Sequence, residues 1–132
     1  MTQLSIMKKY TVKGDYRKPD VNLDAERGLI EITGRSIPEQ TDDFYQPVIE
    51  WVNNYVQNPA EETTINYNLD YYNSSSKRYL FDILERIAPL HKSGKKITFN
   101  WYHDEDDDES EDSGILFAEL AGFPVNLITL PE

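Results

Sequence analysis

The chain is 132 residues long, the size of one domain with its own core, and its 39% hydrophobic, 12% aromatic and 28% charged residues fit neither a disordered chain nor a membrane protein. It has no Cys, which excludes disulfides, thiolate nucleophiles and Cys-based zinc sites, and no apolar run approaches the roughly 18 residues of a membrane span. Thirteen Lys and Arg against 24 Asp and Glu give a net charge of -11, which removes nucleic-acid backbones from the expected partners.

The charge is uneven: eight of the acids lie in Asp104 to Asp112 (DEDDDESED), and the other 16 nearly balance the 13 bases. The start, MTQLSIMKKY, lacks the charged-then-apolar order of a signal peptide, so a cytoplasmic location is expected.

In chain order, Leu4 to Val12 and Asp20 to Asp24 are candidate edge strands, followed by a hairpin turn near Ala25 to Gly28. Gly28 to Gly34 (GLIEITG) is a short strand bounded by glycines. From Thr41 to Gln57, Phe44, Val48, Trp51, Val52, Tyr55 and Val56 recur at spacings of three and four, the signature of one helix face; Pro47 either kinks this helix or marks its start.

Ile65, Tyr67, Leu69 and Tyr71 then alternate with Asn66, Asn68, Asp70 and Tyr72, a strand with one polar face. After Asn73 a helix returns, with Leu80, Ile83, Leu84 and Ile87 on one stripe, His91 and Lys92 in its last turn and Gly94 as its stop. Ile97, Phe99 and Trp101 mark another strand. Ile115 to Leu120 predicts a short helix ended by Gly122, and Phe123 to Leu130 a closing strand.

Strands alternating with helices call for right-handed crossovers and a mostly parallel sheet. A sheet covered on both faces would have strands apolar throughout, and these alternate in polarity. The expected architecture is therefore an α/β two-layer sandwich: a mostly parallel or mixed sheet, helices mainly on one face, and an N-terminal hairpin extending the sheet. The open face and nine tyrosines permit a dimer without requiring one.

No nucleophile elbow, phosphate-binding glycine loop or HExxH spacing is present. His91 belongs to a helix C-terminal turn, where the dipole favours positive charge, and His103 reads as a solvated strand end. Asp104, Asp106 and Asp108 occupy the first, third and fifth places of an EF-hand loop, but Glu109 stands where Gly is needed and Ile115 where a bidentate Glu is needed. The acidic run reads as a solvated loop entering the next helix, or as a dock for a basic partner. A small metal-dependent enzyme using these carboxylates and His103 is the remote alternative. No cofactor is expected.

The segment YYNSSSKRYLFDIL, Tyr71 to Leu84, passes from a strand into an amphipathic helix, so its serines fall at or beside the N-cap. One reading is capping alone, within a constitutive binding module. The other is a phosphoacceptor, since a phosphate there would meet unpaired N–H groups and the positive end of the helix dipole, with Lys77 and Arg78 close by.

Together with PDVNLDAERGLIEITGRSIPE, DFYQPVIEWVNNY and ITFNWYHDEDDDESEDSGILFAELAGFPVNLI, this segment resembles the SiaC-like regulatory phosphoproteins over nearly the whole chain, taken as one domain over residues 1–132. That family is distantly similar in fold to the STAS-domain anti-sigma-factor antagonists. Its motif is Asn-Thr-Ser-Ser, one residue, then Lys, with the Thr phosphorylated. Aligned without a gap, Asn73 takes the Asn, Ser74 the phosphorylated Thr, Ser75 and Ser76 the serines, and Arg78 the Lys. The resemblance implies a non-catalytic switch: Ser74 modified, Asn73, Ser75 and Ser76 shaping the loop, Lys77 and Arg78 beside the phosphate. It further implies a diguanylate cyclase that the unmodified form binds and activates, raising cyclic di-GMP, with a protein kinase and a metal-dependent Ser/Thr phosphatase setting the state of Ser74.

Overall fold

A computed structural model describes residues 8–131. Its elements are β1 Lys9–Val12, β2 Asp20–Asp24, β3 Leu29–Ser36, α1 Thr41–Tyr55, β4 Glu62–Tyr72, α2 Ser74–Lys92, β5 Lys96–His103, α3 Asp108–Ala121 and β6 Asn126–Thr129. The expected Leu4 to Val12 strand lies partly outside the described residues; from Lys9 onward it is β1. No helix among the described residues is long and apolar enough to cross a membrane.

All six strands form one sheet in chain order. β1, β2 and β3 pair antiparallel, and β3 to β6 pair parallel. Right-handed crossovers between successive neighbouring strands place α1, α2 and α3 on the same face. This is the expected two-layer arrangement, and the parity of the strands explains it. Ile30, Ile32, Ile65, Tyr67, Phe99 and Trp101 point to the helices and are buried.

The alternate residues form a polar row in register across the wet face: Thr11, Asn22, Glu31, Asn66, Asn100 and Asn126. Asn126 donates to Asn100 at 3.1 Å, Asn100 to Asn66 at 2.8 Å, and Asn66 to the Glu31 carboxylate at 3.1 Å.

Trp101, 2% exposed, centres the aromatic part of the core, with the rings of Tyr67, Tyr72, Phe99 and Phe117 around it. Its indole N–H donates to Ser110 Oγ at 3.0 Å, which ties β5 to α3. Gly114 lies flat on the indole: a Cβ there would sit 2.6 Å from the ring.

α2 ends as its sequence predicts. Gly94 adopts φ +97°, its N–H reaches His91 O at 3.0 Å, and Lys95 N–H reaches Leu90 O at 3.0 Å, the paired bonds of a Schellman motif. α1 starts at Thr41 and runs through Pro47, so the proline marks no start and removes only one N–H from the ladder. The last helix departs most from expectation, beginning at Asp108 rather than near Ile115. The acidic run is not a free loop; its second half is the first turn of α3, where negative side chains face the positive end of the dipole.

Candidate functional site

The parallel strands β3, β4 and β5 deliver the N-termini of α1, α2 and α3 to one edge of the sheet, the carboxyl edge where α/β folds place their ligands. Ser74, Ser75 and Ser76 open α2 there. Successive helical residues are turned by about 100°, so three consecutive serines point three ways.

Asn73 is the N-cap: its backbone is extended (φ -86°, ψ 177°) and its Oδ1 accepts from Ser76 N at 2.9 Å. The capping role considered for Ser74 therefore belongs to Asn73, and Ser74 is the first helical residue. Asn73→Ala should cost about 1 kcal/mol and Ser74→Ala less than about 0.5 kcal/mol, compared by urea unfolding.

Ser76 is fully buried. Its hydroxyl donates to Ser36 O at 2.9 Å and accepts from Ser36 Oγ at 2.8 Å, and Ser36 Oγ lies 2.6 Å from Tyr45 OH. Each serine has one hydroxyl proton and both are committed, so Tyr45 donates in the last bond. A chain of three hydroxyls thus joins the head of α2 to β3 and α1.

Burial raises the Tyr45 phenol from 10.0 to about 12, against the opposing effect of the neighbouring Ser36 and Ser76 hydroxyls. Between those values the unfolded chain sheds a proton that the folded chain keeps, so stability falls as pH rises. Near pH 11 the loss from this group should be about 1.4 kcal/mol, read as the difference in alkaline sensitivity between wild type and Tyr45→Phe in urea titrations.

Ser74 and Ser75 are exposed on different sides. Ser75 faces the head of α1, near Asp42 and Asp43. Ser74 lines an open groove of about 310 Å³ between the heads of α2 and α3. Asp70, Asp107 and Glu109 line the same groove, and Lys77 is the one cation among its described residues. Arg78 is exposed one helical turn beyond Ser74, outside the groove lining. Lys77 and Arg78 are the i+3 and i+4 neighbours of Ser74, the positions that share a helix surface.

The acidic residues have structural work at the head of α3. Asp107 Oδ1 accepts from Ser110 N at 3.0 Å as the N-cap, and Asp108, Glu109 and Glu111 fill the first turn. Asp108, the fifth place of the imperfect EF-hand match, is already helical.

His103 is buried rather than solvated. It keeps the inward parity of Ile97, Phe99 and Trp101, with Nδ1 2.9 Å from Asp104 O and Nε2 3.7 Å from the Glu111 carboxylate. His91 is exposed in the last turn of α2, as expected. The hydroxyl chain was missed from sequence, because Ser36 and Ser76 stand 40 residues apart.

Known proteins share this fold. The fold matches the crystal structure of apo-SiaC from Pseudomonas aeruginosa with a TM-score of 0.84 at 23% identity, covering 93% of this chain and 100% of that one. It matches equally the SiaC chain in the crystal structure of the diguanylate cyclase SiaD with its activator SiaC, from the same organism: TM-score 0.84, 23% identity, 92% and 99% coverage. An uncharacterized protein of Pseudomonas aeruginosa (strain UCBPP-PA14) is 25% identical over 113 residues, 86% of this chain and 90% of its own length. The family model described as SiaC family regulatory phosphoprotein matches residues 12–130, nearly every described residue, and the chain belongs to that family.

Proposed function

We propose that this chain is a non-catalytic cytoplasmic switch, a single regulatory domain whose Ser74 is the phosphorylated residue. In this reading the unmodified form binds and activates a diguanylate cyclase, as SiaC of Pseudomonas aeruginosa is described as the activator of SiaD. A protein kinase adds the phosphoryl group and a metal-dependent Ser/Thr phosphatase removes it.

The observation that carries the reading is the position of Ser74. Its hydroxyl is exposed and stands outside both the Asn73 cap and the buried hydroxyl chain, so it is free to be modified without unfolding α2. A phosphate there gains about 0.3–1 kcal/mol from the helix dipole and a similar amount from Lys77 and Arg78. Repulsion from Asp70, Asp107 and Glu109 offsets much of this. The fold is left nearly indifferent to the modification, while a partner packing against the groove has a dianion to desolvate.

The test is phosphopeptide mapping of the chain from its native cells, with and without the candidate kinase, followed by cyclase binding of both forms. Phosphate on Ser74 with weakened cyclase binding is the expected result. Absence of phosphate under an active kinase, or equal binding by both forms, would leave a constitutive binding module. Calorimetric titration with divalent metal should show no tight site; a tight one would favour the metal-enzyme reading.

A further inference from the structure

α3 is apolar on two opposite sides. Gly114, Phe117, Ala118 and Ala121 are buried against the sheet and α2. On the outer side Ile115, Leu116 and Leu120 are 37%, 46% and 63% exposed. With Asp112 and Glu119, also exposed, they occupy the positions i, i+3, i+4, i+7 and i+8 that make one continuous helix face. A surface helix ordinarily turns its polar residues outward, and this one turns out three large aliphatic side chains.

We propose that this outer face of α3 is a docking surface for an amphipathic helix of another protein, one with an aliphatic ridge flanked by Lys or Arg. Charge selects the occupant. α3 contains no Lys, Arg or His, and its outer face sets Asp112 and Glu119 among the aliphatic residues, just after the acids of its first turn. A second copy of this chain would bring the same carboxylates to the contact, which opposes self-association through this face. A helix with a basic rim satisfies them and buries the leucines.

The inference goes beyond the Ser74 switch and does not depend on it. The face starts at Asp112, beside Ser113 of the Ser74 groove, and runs away from it to Leu120, 11 residues from Glu109 and about 16 Å along the helix. Leu116 and Leu120, the residues substituted in the test, line no part of the groove.

The probe is a fluorescent synthetic peptide of about 20 residues, long enough to form a helix, with leucines at helical spacing and lysines on its other faces. Titrated by anisotropy at physiological salt, it should bind saturably and shift backbone amide resonances chiefly between Asp112 and Leu120. The double variant Leu116→Ser, Leu120→Ser should weaken binding about tenfold or more, with an unchanged circular dichroism spectrum to show that the fold is intact. A peptide of the same composition in scrambled order should bind about tenfold more weakly, and one with Glu in place of Lys should not bind. No binding of the ordered basic peptide, or equal binding by the double variant or by the scrambled sequence, would overturn the proposal. Ser74→Ala should leave the peptide affinity unchanged, so a failed switch and a failed docking surface give different results.

Discussion

Ser76→Asp is expected to cost the fold about 3–5 kcal/mol, and Ser74→Asp, two residues away, to leave it as stable as wild type within about 0.5 kcal/mol. Ser76 has no solvent exposure, and the partners of its hydroxyl are the hydroxyl and the backbone carbonyl of Ser36, with no cation among them. An uncompensated buried charge costs about 3–5 kcal/mol, against a total stability of about 5–15 kcal/mol for a domain. Protonating the new carboxyl relieves the charge, yet leaves a larger side chain in place of a hydroxyl that made two bonds. At Ser74 the same carboxylate meets the helix dipole, Lys77 and Arg78 on one side and three acids on the other, and these nearly cancel. Urea unfolding of the two variants is the measurement; coincident midpoints would refute the three-way splay of the serines.

Trp101→Ala should cost about 3–5 kcal/mol, because it empties the centre of the aromatic core and removes the anchor of α3. Gly114→Ala is the sharper test. Helix propensity alone would make it stabilising by about 1 kcal/mol. The added methyl would lie 2.6 Å from the Trp101 ring, which Tyr67, Tyr72 and Phe117 hold in place. Overpacking of about 1–3 kcal/mol should therefore win. In the Trp101→Ala background the obstacle is gone, and Gly114→Ala should become neutral or stabilising. That reversal, measured as a double-mutant cycle, would show that contact with the indole, and not backbone freedom, fixes glycine at this position.

Much of this was legible in the sequence because patterns of period two and period 3.6 report burial directly. The alternation of Ile65 and Tyr67 with Asn66 and Asn68 marks a sheet with one wet face. The acidic run was legible in part: its lead into a helix N-terminus, where acids are favourable, was readable, but the helix starts at Asp108 and not near Ile115, because eight acids in nine residues carry no apolar periodicity to mark its first turn. At the site, the strand-to-helix junction was readable while the choice of cap was not, since Asn and Ser cap almost equally well. Only the extended backbone of Asn73 decides it. His103 was within reach, because continuing the inward parity of Phe99 and Trp101 by two residues buries it. The Ser36–Ser76 contact left no local trace, being a tertiary bond between two ordinary serines.

The row of asparagines across the wet face has a consequence for the molecule as a whole. Amide-to-amide bonds neither titrate nor weaken with added salt, and Glu31 is the one ionisable group in the bonded series from Glu31 to Asn126. The register of the four parallel strands is thereby insulated from ionic conditions, whereas the edge carrying Ser74, Asp70, Asp107 and Glu109 responds to every change in charge. Solution conditions or a covalent anion that alter what the chain presents at that edge leave the strand alignment behind it undisturbed.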